Sequence, residues 1–509
     1  MITQIKESRI ILWILLPVFL ALLLSAVVGL QLFQDGSSYL LEILINHSAV
    51  RHERLSILLF QYPTVFILKA FQRLEIDPLV TLPVVRLAFN LNYAITPFGS
   101  LFLSWMVVRK KREELFLWAA LIILFVNLVN FSWVSELLLS VQLACPLLLA
   151  LLQNPKGKAY WTLFFFLTPF LFFLHPLVIT IYVILAGASA YIAYRRPEDR
   201  RAAAWSMMLF LLAAATRGGY SLFTLSFYEV SFVSSGEIDN YFVISRFENL
   251  LFLAAAIEVA FIVLLSRAIV DSNRLLVKII PWLISLQSYL LLLFAAKYLL
   301  NGNFFPLIVA SGLSIPVFLP FWQSRQRMLI EQTHLLYLAC AFLATTASSL
   351  LLAQYALAER QFTLKMGLDL FVALSIMAMA VYDSMREVIS SERGLRFRLV
   401  LVLSTIFACV MIIKSAMWHI STQKLAQTLH QANGSCVEIT SVDFPWLENS
   451  PYTMINNWSL PSLALVMQDE RPRKALLAEN DCETFYQSGM IQIDPWSQLP
   501  KEFLVPPLE

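Results

Sequence analysis

Residues 34–55 read QDGSSYLLEILINHSAVRHERL and set Asp35 ahead of His47, Arg51, His52 and Arg54. A carboxylate can take a proton from a hydroxyl, an arginine can grip phosphate oxygens bidentately, and a histidine can serve acid–base chemistry or a metal. If one helix runs through Arg54, then His47, Arg51 and Arg54 share a face at i, i+4 and i+7, while His52 points elsewhere. His47 and His52, five residues apart, are not at helical ligand spacing. A divalent metal is compatible with such residues, but no ligand motif indicates one, and the cofactor is unknown from sequence. The alternative is an interfacial helix whose charges meet water and lipid headgroups.

Other ionisable residues fall at the ends of apolar stretches. Arg86, in LPVVRLAFNLNYAITP, has Asn90 one helical turn further on, and an ionisable residue there faces a bundle interior, lines a wet cavity or snorkels to the interface. Arg217 and Lys297 also stand near span ends. Glu136, in FSWVSELLL, stands where one apolar stretch turns into the next, as a cavity group or as an N-cap. His175 stands at the tip of a hairpin before a proline, as a cavity group or a solvated turn residue. Glu237 and Asp239 are the nearest thing to a tight acidic pair in the stretch from Arg217 to Asn249, whose aromatic residues suit a sugar- or lipid-covering loop and an interfacial belt equally.

The elements that carry these groups follow from composition. With 59% hydrophobic and 14% charged residues over 509 positions, the chain is an all-α polytopic membrane protein rather than a string of soluble domains. A net charge of +3 gives no reason to expect nucleic acid. Residues 10–31 form an uncleaved first span. Further apolar stretches centre near residues 95, 124, 145, 167, 185, 209, 257, 288, 313, 343, 374 and 407, about 13 transmembrane helices in all. With the N-terminus cytoplasmic, cytoplasmic segments carry 21 Lys and Arg, and external ones before the tail carry 9. That asymmetry predicts a transmembrane domain over 1–417, interfacial helices in an external loop at 32–79, and a small extracytoplasmic segment at 418–509. The plasma or inner membrane is the expected site.

Cys145, Cys340 and Cys409 fall in spans as packed thiols. Cys436 and Cys482 lie in the tail and can form a disulfide on an oxidising side. Sequons at Asn46, Asn130, Asn433 and Asn457 do not distinguish a bacterial membrane from the endoplasmic reticulum. No nucleotide-binding loop, zinc pattern or nucleophile elbow is present, which disfavours a pump driven by its own ATPase.

This organisation resembles the GT-C class of membrane glycosyltransferases. The shared features are a cytoplasmic N-terminus, eleven to thirteen spans, an acidic residue just past the first span, interfacial helices in that loop and an extracytoplasmic C-terminal segment. The resemblance implies a sugar moved from a polyprenyl-phosphate-linked donor to a glycan, lipid or protein acceptor on the outer face, at a membrane-lipid boundary. It implies Asp35 as the catalytic acid of QDGSSY. Arg86, Arg217 and Lys297 become candidates for holding the donor phosphate or lipid. His47, Arg51, His52, Arg54, Glu136, His175, Glu237 and Asp239 are candidate cavity residues. Two other classes stand beside this one: a transporter or flippase of a lipid-linked saccharide, and a non-catalytic membrane protein of envelope assembly. No internal repeat or ionisable cluster at mid-membrane speaks for the transporter.

Overall fold

The computed structural model describes residues 2–33, 35–49, 55–108, 114–129, 134–224 and 393–432, and in the tail 434, 436–438, 459–468, 474–477, 482–483, 490–492 and 498–500. The helices are α1 (Ile2–Val27), α2 (Asp35–Asn46), α3 (Leu55–Arg73), α4 (Pro78–Val108), α5 (Glu114–Val129), α6 (Glu136–Gln153), α7 (Lys158–Phe172), α8 (Val178–Arg195), α9 (Arg200–Thr224) and α10 (Arg393–Gln431). The tail adds β1 (Cys436–Glu438), α11 (Leu460–Met467), β2 (Ala475–Leu477), β3 (Met490–Gln492) and β4 (Gln498–Pro500).

Among the described residues, α3, residues 80–108 of α4, α6, α8 and residues 400–431 of α10 are long and apolar enough to cross a membrane. Residues 13–27 of α1 and all of α7 are shorter apolar helices. The chain is a mostly helical membrane protein. The expected spans near 257, 288, 313, 343 and 374 lie outside the described residues.

The centre of the described bundle is α6, which α4, α5, α7 and α8 surround. Its sequence, ELLLSVQLACPLLLALLQ, is apolar on every face, as a helix with protein on all sides must be. One polar tie crosses to α5: Gln142 Nε2 donates to Asn127 Oδ1 at 2.7 Å, and Asn127 Nδ2 donates to Ile123 O at 2.6 Å. Amide pairs of this kind fix the relative rotation of two helices whose remaining contacts are non-directional.

Contacts along α4 show how far it reaches. Phe19 of α1 meets Phe98 at 5.3 Å, and a methyl group on Gly29, just past α1, would come within 3.5 Å of Asn90 Nδ2. The two helices are antiparallel, so the residues of α4 before Asn90, about 18 Å at 1.5 Å per residue, run beyond the end of α1. Helix α3 packs against α4 around Asn92 and Tyr93: Phe60 stacks on Tyr93 at 5.6 Å, and Asn92 Nδ2 donates to Phe60 O at 3.1 Å and to Thr64 Oγ1 at 3.2 Å. Its start rests on the tip of the α7–α8 hairpin, where Ser56 Oγ donates to Phe170 O at 2.6 Å.

The expected boundary at 417/418 falls inside α10, which continues unbroken to Gln431. Trp418, fully buried, meets Phe33 edge-on at 6.1 Å, so the last turns of α10 project beyond α1 into the tail. There Lys474 Nζ donates to the carbonyls of Leu429 at 2.8 Å, His430 at 3.2 Å and Ala432 at 2.5 Å. These are C-terminal carbonyls without intrahelical partners, and a cation at that end also favours the helix dipole.

The tail is a β–α–β unit. Parallel strands need a crossover, and α11 supplies it between β1 and β2, with Cys436 opposite Ala475. The strands β3 and β4 pair antiparallel. Cys436 and Cys482 are disulfide-bonded, with Cα atoms 5.7 Å apart. Of the thiols expected in spans, Cys145 is buried but Cys409 is exposed on α10, and Cys340 lies outside the described residues.

Candidate functional site

The turn between α1 and α2 is unusually tight, and its sequence explains why. Gly29 adopts φ +78°, a conformation that β-carbons disfavour, and a 3₁₀ turn at Leu30–Leu32 follows at once. Gly36 tolerates no side chain: its Cβ would stand 1.8 Å from Gln31 O. Backbone bonds from Leu32 to Gly29 O, Phe33 to Leu30 O and Gly36 to Phe33 O satisfy the amides through the turn. Asp35 emerges as the first residue of α2, half-buried, where its charge also favours the helix dipole.

The sequence predicts α2 as an interfacial helix with one wet face. The structure differs, since Gly36 to Ile43 are buried in an unbroken run. The reason is α11, which covers the face that lipid headgroups would otherwise meet. Ser38 Oγ donates to Ser462 Oγ at 3.3 Å, and Ser37 Oγ to Ser459 O at 3.4 Å. Nor does the helix reach Arg54. It stops at Asn46, and His47 takes φ +49°, which ends the helical path, so His47 stands outside α2, and the rest of the expected shared face, Arg51 and Arg54, lies outside the described residues.

Behind Asp35 lies a buried polar cluster. Tyr39, one turn along α2, donates its hydroxyl to Glu136 Oε1 at 2.5 Å. Glu136 is 4% exposed and opens α6, but the N-cap is Ser135, whose Oγ accepts from Leu138 N at 3.4 Å. Glu136 bonds across to α2. Tyr93 of α4, 1% exposed and packed on Phe89 and Phe60, stands within electrostatic reach of Glu136 first and Asp35 second. Two carboxylates and two phenols from three helices therefore lie at one end of the bundle, with the Tyr39–Glu136 hydrogen bond joining α2 to α6.

Arg86, two turns before Tyr93 on α4, faces the tail. Its Nη1 donates to Val466 O at 3.0 Å and Met467 O at 2.9 Å, the last carbonyls of α11. This cation clamps the tail helix to the bundle at the end where Asp35 sits. His47 bonds Gln72 at 2.7 Å through Nδ1 and ties the end of α2 to the end of α3. His175 Nδ1 accepts from Leu177 N at 3.1 Å and shapes the α7–α8 turn. Arg217, 3% exposed, lies between Phe172 at 5.6 Å and Tyr220 at 5.2 Å, a cation held by ring faces. Arg51, His52, Arg54, Glu237, Asp239 and Lys297 lie outside the described residues. No protein family, curated protein or solved structure matches this chain.

Sequence reasoning passed over Tyr39, Tyr93 and Lys414. Tyr39 carried a signal in its i+4 spacing from Asp35. Lys414 carried a stronger one, as the lone charge in VLVLSTIFACVMIIKSAMW. It is 5% exposed and shares the packed stripe of α10 with fully buried Met411 and Trp418, so its ammonium stem enters the bundle rather than the lipid. Among the described residues, no group of three or more His, Cys, Asp and Glu is placed to hold a metal ion.

Proposed function

We propose that the protein is a GT-C-like membrane glycosyltransferase with about 13 spans, a cytoplasmic N-terminus and an extracytoplasmic tail. It transfers a sugar from a polyprenyl-phosphate-linked donor to an acceptor hydroxyl. One observation supports the reading: a half-buried carboxylate, Asp35, stands at the head of a tightly turned helix directly past the first apolar helix, at the end of the bundle that also holds Glu136, Tyr39 and Tyr93. In this reading Asp35 takes the acceptor proton as the acceptor oxygen bonds to the anomeric carbon and the bond to the donor phosphate oxygen breaks. Tyr39 and Glu136 position α2, and with it Asp35. Lys414, buried in the last span, joins Arg217 and Lys297 as a candidate cation for the leaving phosphate.

A second reading, a non-catalytic envelope-assembly protein, is favoured by a different observation. Arg86 gives its Nη1 to the tail helix, and Asp35 occupies a first-turn position where a carboxylate stabilises a helix without doing chemistry. Arg86 variants cannot separate the two readings, because they would also loosen the tail. Asp35→Asn can. Turnover of a polyprenyl-linked sugar by purified protein should fall about 100-fold or more, with donor binding, measured separately, unchanged. Full turnover in Asp35→Asn would remove the mechanism.

A further inference from the structure

At the opposite end of the bundle from Asp35, a groove of about 390 Å³ opens between the starts of α7 and α9. It is lined by Lys156, Trp161, Arg201, Ala202, Trp205 and Leu209. We infer that this groove is a binding site for one anionic phospholipid, with its headgroup phosphate between Arg201 and Lys156 and an acyl chain along Trp205 and Leu209. The inference is independent of the glycosyltransferase reading, which concerns the other end.

The order of residue types along the groove carries the argument. On α9, Arg201, Trp205 and Leu209 follow one another at i, i+4 and i+8, a cation, then an indole, then an aliphatic chain, about 6 Å apart in depth. Lys156 and Trp161 repeat the first two steps on the α7 side. A phospholipid standing in a leaflet presents the same order: phosphate, then the amphipathic interface where indoles settle, then hydrocarbon. A soluble phosphate ester would match only the first level, and a neutral lipid only the lower two.

The charge balance selects an anion. Between residues 156 and 201 there are six lysines and arginines against two acids, Glu198 and Asp199. One of these acids pairs with Lys156, whose Nζ lies 3.4 Å from Asp199 Oδ1 and also donates to the main-chain carbonyl of Glu198. Among the described residues no carboxylate pairs with Arg201, which is exposed at the rim. Arg201 is therefore the principal phosphate contact. Lys156 is the anchored second one, held over the groove by its own ion pair. Trp205, 54% exposed, gives the groove a wall with about half of its surface open.

The test is native mass spectrometry of the full chain, purified in mild detergent and equilibrated with phosphatidylglycerol or phosphatidylcholine of equal chain length. The first phosphatidylglycerol should bind more tightly than phosphatidylcholine. Arg201→Gln, which leaves the Lys156–Asp199 pair intact, should weaken it about fivefold, the effect expected per cation at a membrane surface. Arg201→Gln with Lys156→Gln should weaken it further. Arg200→Gln, on the neighbouring face of the same helix, should change it less than about twofold. Equal retention of the two lipids would overturn the inference, as would equal losses in Arg200→Gln and Arg201→Gln. A thermal melt of each variant identifies any loss that comes from unfolding. In a variant that fails to hold its fold, Trp205→Ala replaces the cation change and should weaken lipid retention with the charge intact; undiminished retention there also overturns the site.

Discussion

The two ends of the bundle handle charge in opposite ways. At the Asp35 end, Glu136 is buried against Tyr39, Arg86 is bonded to the carbonyls of α11, and Lys474 caps α10. At the Lys156 end, Lys156, Arg200 and Arg201 are exposed, Lys156 pairs with Asp199, whose side chain is 15% exposed, and Arg196 donates to Leu152 O at 2.7 Å. Buried polar groups are costly unless partnered, so the bonds at the first end hold their side chains in fixed places. Exposed cations are screened and replaceable, and they act as a group on whatever anion comes near. The first end therefore suits a site that must hold atoms in place, and the second suits a surface that selects by charge.

That contrast can be broken most directly through the tail that closes the Asp35 end. Replacing Cys436 and Cys482 by serine opens a loop of 46 residues in sequence separation and should cost about 4 kcal/mol on the chain-entropy account, read as a lower midpoint for unfolding of the tail. Wild-type protein, blocked before denaturation and run without reductant, should show no alkylatable thiol at either position. Free sulfurs there would mean that the disulfide is absent from the folded protein. Next in size is Gly36→Ala. Its new methyl would meet Gln31 O at 1.8 Å, so the turn has to open, at about 3 kcal/mol or more in thermal or denaturant stability. A variant as stable as wild type would mean that the close approach of Gly36 to Gln31 is absent in the folded protein.

Smaller, and more specific, is the Tyr39–Glu136 bond. Tyr39→Phe leaves a buried carboxylate short of a donor and should cost about 2 kcal/mol, and Glu136→Gln somewhat less. The informative quantity is their coupling, expected near 1 kcal/mol or above in a double-mutant cycle. Strict additivity would show that the two side chains do not act together. The smallest effect belongs to the other end, where Lys156→Gln should change stability by less than about 1 kcal/mol, with any loss fading in high salt. A large, salt-independent loss would place that end in the same class as the first and erase the comparison.

Much of this was legible in the chain itself. Apolar length and the near absence of charge decide that α4, α6, α8 and α10 belong in lipid or in a core as apolar as lipid, because a backbone there must satisfy its own polar groups, as a helix does; α3, equally able to cross by length and composition, was expected only as an interfacial helix. The pair Cys436 and Cys482 could be named as a candidate because only two cysteines fall in the tail. The acid at the exit of the first span was visible too, whereas the need for glycine at position 36 comes from its approach to Gln31 O. Lys414 was equally visible as a lone charge, yet a count of loop charges passes over a residue inside a span.

Tertiary contact decided the rest. Whether α2 lies on a membrane surface or inside protein depends on α11, more than four hundred residues away, and a helical pattern contains no term for a cover from so far along the chain. Arg86 reads from sequence as a cation in want of a phosphate, because the Val466 and Met467 carbonyls that it meets carry no side-chain signature. Glu136 reads as a cap until Ser135 takes that task and Tyr39 takes the carboxylate. Composition and periodicity, being sums over neighbours in the chain, determined which segments are helices and which face is apolar. The partner of each buried polar group was decided only by folding, because a buried donor accepts whichever oxygen the packing brings within about 3 Å, whatever its distance in sequence.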